Sequence, residues 1–124
     1  MTIETERDDD FDEDEGFWMS NLPPRATGLP MVVFVSQRGR ARHDIRIKVS
    51  LTHGNHMDPG NTVPVGVRPA PHEIVPGQLS RSDRDAVFRW ITLNEAVLID
   101  YWNNQIFTDE MLARIAPLSP PVLP

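Results

Sequence analysis

The sequence predicts an α+β domain: a small antiparallel β-hairpin sheet packed against a long C-terminal helix, behind a disordered acidic N-terminal tail. Three observations carry that expectation. "MVVFVS" (residues 31–36) is a short apolar run rich in β-branched residues. Residues 45–52 then alternate, with Ile45, Ile47, Val49 and Leu51 on one face and Arg46, Lys48, Ser50 and Thr52 on the other. Finally, Val87, Trp90, Ile91, Val97, Leu98, Tyr101 and Trp102 recur at spacings of three and four, the stripe of an amphipathic helix.

Each element can be placed in order. Pro23, Pro24, Gly28 and Pro30 predict an extended approach to the domain. The apolar run reads as a strand buried on both faces, and the alternating run as a half-buried partner with a charged solvent face. Gly39 in "QRGRA" can take a positive φ and so permits a turn between them. "HGNHMDPG" (residues 53–60) is a surface loop, and "TVPVGV" a third strand that Pro64 confines to the edge. A short extended piece is expected around residues 73–75. Ser80 or Ser82 caps the next helix, with Asp83 and Asp85 at the positive end of its dipole. Asn94 interrupts the apolar stripe, so there is either one helix with a polar step or two helices meeting at Asn94. Thr108 caps a last short helix that Pro117 stops, and "SPPVLP" is an extended tail. The expected organisation is a disordered acidic tail and linker over residues 1–27, one domain over 28–118, and an extended end over 119–124.

Composition narrows the function classes. The chain has 124 residues and is 40% hydrophobic, enough for one small core. With no cysteine, there is neither a disulfide framework nor a thiolate site. No apolar run approaches the roughly 20 residues of a membrane span, and the start lacks the basic-then-apolar order of an export signal. A cytoplasmic location is expected. The net charge of −6 hides an asymmetry: residues 1–15 hold nine acids against one arginine, and the rest of the chain is net +2. So dense a block of like charge repels itself and has little to bury, so disorder is expected. Phe11, Phe17, Trp18 and Met19 lie within or just after it, and acids interleaved with aromatics can dock on a basic, partly apolar groove, on a partner or on this domain.

Four sets of residues invite a functional reading. Arg38, Arg40, Arg42, Arg46 and Lys48 form a basic hairpin that could bind phosphates or an acidic partner. No aromatic platform for bases lies beside them. His43, among those arginines, is the one candidate for proton transfer in an RNA-cleaving site, although alternation sets Asp44 on the opposite strand face. His53, His56 and Asp58 are a weak metal set in a loop too mobile to fix three ligands; neither a metal nor a cofactor is expected. Trp90, Leu98, Tyr101 and Trp102 suit a core, yet the stripe is long for a three-stranded sheet, so part of it is expected to be exposed for a partner.

The order of elements also resembles a small bacterial family, domain of unknown function 4160. The similarity rests on Gly77 before the helix, Trp90, Asn94, Leu98-Ile99, Trp102 and the "IAPL" ending at residues 115–118. The family's first hairpin commonly has Pro-Pro-His-x-His at its turn; here "RAR" replaces the prolines, His43 stands at the first histidine and Ile45 at the second. The resemblance implies a partner protein in a toxin–antitoxin-like pair. The expected function is therefore a non-enzymatic protein-interaction module. The alternatives are a nucleic-acid binder or ribonuclease using the basic hairpin, and a homodimer in which one copy's acidic tail covers the other's hairpin.

Overall fold

The computed structural model describes residues 19–123. Of the tail and linker expected to be disordered over residues 1–27, residues 1–18 lie outside them. Five strands form one antiparallel sheet in sequence order: β1 (Ser20–Leu22), β2 (Met31–Val35), β3 (Arg46–His53), β4 (Thr62–Gly66) and β5 (His72–Glu73). Four helices are present among the described residues: α1 (Pro24–Thr27), α2 (Arg81–Leu93), α3 (Glu95–Trp102) and α4 (Thr108–Arg114). None is long and apolar enough to cross a membrane.

The ordered fold begins earlier than Gly28. Ser20–Leu22 pairs with β2, placing Ser20 opposite Val35 and Leu22 opposite Val33, and Leu22 is buried in the core. Pro24 opens a single helical turn, where its missing N–H costs nothing, and Gly28 closes that turn at φ 76°. The C-terminal end is likewise packed: Leu118 donates its N–H to the Thr27 carbonyl (2.8 Å) and Val122 to that of Gly28 (2.7 Å).

Two strand expectations need correction. Pro64 does not make β4 an edge strand. The hydrogen bonds Leu51 N–H to Asn61 and Val67 N–H to Ile45 alternate so that Pro64 turns its nitrogen away from β3. The missing donor therefore falls on the β5 side, where pairing is limited to Val65–Glu73 and Gly66–His72. Leu51 does not join the core face; it is 40% exposed. Between the pairs Met31–His53 and Val33–Val49, three residues of β3 stand opposite Val32 alone, and Leu51 lies in that bulge. Ser50 stabilises the bulge by accepting the Thr52 N–H (3.1 Å) and donating to the Thr52 carbonyl (3.0 Å).

One face of the sheet, carrying Val33, Val35, Ile47, Val49 and Val65, packs against Val87, Trp90, Ile91, Leu98, Tyr101 and Trp102 of the helices. The helical stripe is broken at Asn94, giving two helices rather than one long one. Ser80 is the N-cap of α2 and accepts the Asp83 N–H at 3.1 Å. Asn94 does not cap α3 with its side chain; its amide donates to the Trp90 carbonyl in the last turn of α2 and reaches across to residue 116. Thr108 is not a cap either. Its hydroxyl is 2.8 Å from that of Tyr101, which lies 3.1 Å from Ser20 Oγ, so one buried phenol ties α3 to α4 and β1.

Candidate binding face on the sheet

The face turned away from the helices is where the basic residues converge. In β2 the residues that alternate with the core positions are Val32 and Phe34, 1% and 2% exposed, and neither belongs to the helix-covered core cluster. Phe34 stands opposite Lys48 in β3, and Arg46 opposite Gly66 in β4. Lys48 is only 8% exposed and Arg46 is half-buried. The expectation of an open, solvated β3 face is thus overturned: an eight-residue strand in mid-sheet has covered neighbours on both sides. Lysine is almost never this buried without a partner for its charge.

The connection from β2 to β3 carries three exposed arginines, Arg38, Arg40 and Arg42. Gly39 adopts φ 53°, with nothing within 4 Å of where a β-carbon would stand, so the chain can turn there and close the Ala41 N–H to Arg38 carbonyl bond at 2.8 Å. The loop is pinned to the helix layer at several points. Arg38 donates its N–H to the Trp102 carbonyl (2.9 Å), Ala41 enters the core, and the His43 ring lies against Trp102 with centroids 5.7 Å apart at 33°. The guanidinium groups are therefore carried by a backbone held in place.

Asp44, the sole acid between residues 36 and 50, is taken out of play by Arg68 from beyond β4. Arg68 donates Nε to both carboxylate oxygens (3.0 and 3.1 Å) and Nη2 to Oδ1 (2.9 Å). These bonds, together with the Ile45 N–H, hold the Asp44 carboxyl below its ordinary value. A depressed folded value means that the pair stabilises the protein above the normal carboxylate range and stops doing so as pH falls through the folded value. Arg68→Ala is expected to raise the Asp44 titration midpoint toward the ordinary range, read from its carboxyl carbon shift. At neutral pH the exposed pair contributes about 0.5 kcal/mol, and that difference between wild type and variant should fade on acidification.

The other sequence-predicted residues go elsewhere. His43 donates Nδ1–H to the Asp44 backbone carbonyl (2.8 Å), and the Asp44 carboxylate faces Arg68, so the two do not form an oriented acid–base pair. His53 donates Nε2–H to Asp83 at the start of α2 (2.8 Å), while Asp58 accepts the Gly60 N–H within its own turn (3.0 Å). His53, His56 and Asp58 are accordingly not gathered, and among the described residues no group of three or more such side chains could hold a metal. Trp90, Leu98, Tyr101 and Trp102 are all buried in the core and present no partner surface; Leu22 of β1 and Ala41 of the loop join that core, and the His43 ring lies against Trp102. The apolar residues that the helix layer does expose include Leu93, Phe107 and Leu112, and an open groove of about 520 Å³ lies beside α2 between Pro71, Phe88 and Leu93. The apolar run of residues 31–36 reads as a strand buried on both faces, and β2 is: Val32 and Phe34 are as buried as Val33 and Val35. No family model, curated protein or solved structure matches this chain.

Proposed function

We propose that the protein is a non-enzymatic interaction module whose outer sheet face and 36–45 loop receive an acidic, aromatic-bearing protein segment. The observation that carries this reading is the junction of buried apolar residues, Val32 and Phe34, with Arg46 and Lys48 on one face, with exposed Arg38, Arg40 and Arg42 on the loop that joins the same two strands. A segment of alternating acids and aromatics satisfies both halves of such a surface: charge on the loop, ring on the strands. Bare phosphate satisfies only the first. A paired partner protein, of the kind the resemblance implies, is one source of the segment.

The test is fluorescence anisotropy with a labelled peptide of aspartates, glutamates and tryptophan, alongside labelled single-stranded RNA. It uses the full-length chain carrying Asp8, Asp9, Asp10 and Asp12→Asn, so that its own acids do not compete. Peptide binding that weakens at least tenfold on adding Arg40→Glu and Arg42→Glu is expected. RNA bound in preference to peptide would move the protein to the nucleic-acid reading, and failure of the peptide to bind would end the proposal.

A further inference from the structure

Resting on that reading, we infer that the resident occupant of the face is the chain's own N-terminal segment, residues 1–18, held in cis, so that an external acidic partner must displace it. The connectivity brings the two together. β1 pairs with β2 through Ser20–Val35, so the chain preceding Ser20 enters the fold beside the C-terminal end of β2, where the arginine loop departs. Eighteen residues span up to about 60 Å, while the strands that carry the face lie about 4.8 Å apart. Reach is therefore ample.

Charge and hydropathy both match. The segment is net −8, and the face and loop carry Arg38, Arg40, Arg42, Arg46 and Lys48. Phe11, Phe17 and Trp18 supply rings to lie over Val32 and Phe34, which are buried on the side of the sheet that the core cluster does not occupy. Attachment adjacent to the site converts binding into an intramolecular event at an effective concentration on the order of millimolar. A second copy at micromolar concentration competes poorly with that, which separates this arrangement from the tail-exchanged homodimer. The consequence is regulatory: affinity for a partner in trans is reduced by the fraction of time the segment occupies the face.

Because the chain has no cysteine, Asp10→Cys gives a single attachment point for a nitroxide on the full-length protein. Amide signals of Phe34, Arg40 and Lys48 should broaden, while those of Thr92 and Leu112 on the helix side stay sharp. Broadening seen only when spin-labelled protein is mixed with isotope-labelled, spin-free protein would assign the occupant to a second copy and overturn the inference. In parallel, wild type should bind the acidic peptide at least tenfold more weakly than the variant carrying Asp8, Asp9, Asp10 and Asp12→Asn. Equal affinities without selective broadening would overturn the inference while leaving the acidic-segment reading intact; loss of peptide binding in both proteins would remove that reading as well.

Discussion

Asn94→Ala is expected to destabilise the protein by about 3 kcal/mol, lowering the melting temperature on the order of 10 °C. Asn94 is 3% exposed and sits where α2 ends and α3 begins. Its amide donates to the carbonyls of Trp90 (3.0 Å) and Ala116 (2.9 Å), and its oxygen accepts the Ala116 N–H (2.7 Å). The side chain thus pairs with Ala116 as one strand residue pairs with another, fixing the stretch after α4 against the helix junction. Truncation removes all three bonds and leaves the N–H and C=O of Ala116 without these partners in a half-buried position, where each lost bond costs about 1–3 kcal/mol. The Trp90 carbonyl suffers less, because the Asn94 backbone N–H also reaches it at 3.1 Å. Asn94→Asp separates shape from chemistry. It keeps an acceptor for the Ala116 N–H but sets a carboxylate against two carbonyl oxygens, so its proton is held more tightly in the folded state than in the unfolded. That variant should be least stable at neutral pH and recover part of its stability as pH falls. Urea denaturation reads both effects. A loss below about 1 kcal/mol for Asn94→Ala would mean that the C-terminal stretch is held by something other than this amide.

The position of Asn94 was legible in the sequence as a polar step in an apolar stripe, but its role was not. The partner is 22 residues away, across the whole of α4, and no local pattern reports it. The same holds for Asp44 with Arg68 and His53 with Asp83, pairs made only once the strands and helices are in place. By contrast β2, β3 and β4 were legible because β-branched alternation is a property of each run by itself. β1 and β5, three and two residues long, have no period to detect; "SNL" and "HE" are strands only because their neighbours offer free edges. The extended piece expected around residues 73–75 is β5, at residues 72–73, whereas nothing in the sequence points to β1. A three-stranded sheet would leave the Trp90–Trp102 stripe partly uncovered and make the helices a docking surface. In the structure the stripe is buried, and the candidate surface lies on the other side of the sheet. There the alternation of β3 was read correctly in phase but not in environment: Lys48 and Ser50 share the outer face as expected, yet both are buried.

Gly28→Ala should cost about 2–4 kcal/mol, the other large effect. Gly28 adopts φ 76° at the end of α1, a conformation that disfavours any residue with a β-carbon by roughly 1 kcal/mol. The space is also filled. A β-carbon there would lie 2.7 Å from the Leu118 carbonyl oxygen and 2.8 Å from its nitrogen, and both are backbone atoms that no rotamer change can move. Relief requires the C-terminal stretch to withdraw, which strains the hydrogen bonds from Leu118 to Thr27 and from Val122 to Gly28. Gly39→Ala is the matched control: its φ of 53° carries the same conformational cost, but nothing lies within 4 Å of the added carbon. The excess of Gly28→Ala over Gly39→Ala therefore isolates the steric term, and it should exceed about 1 kcal/mol. Hydrogen exchange localises the damage, since the Leu118 and Val122 amides should lose protection before those of α2 and α3. Equal losses at the two glycines would show that the C-terminal stretch yields at little cost, and that the Asn94–Ala116 pairing, rather than the contact with α1, holds it in place. Because α1 joins β1 to β2, loosening at Gly28 also frees the point where the acidic segment enters the fold. The acidic peptide should then bind Gly28→Ala more tightly than wild type, while Gly39→Ala, which lies within the arginine loop itself, should not share that gain.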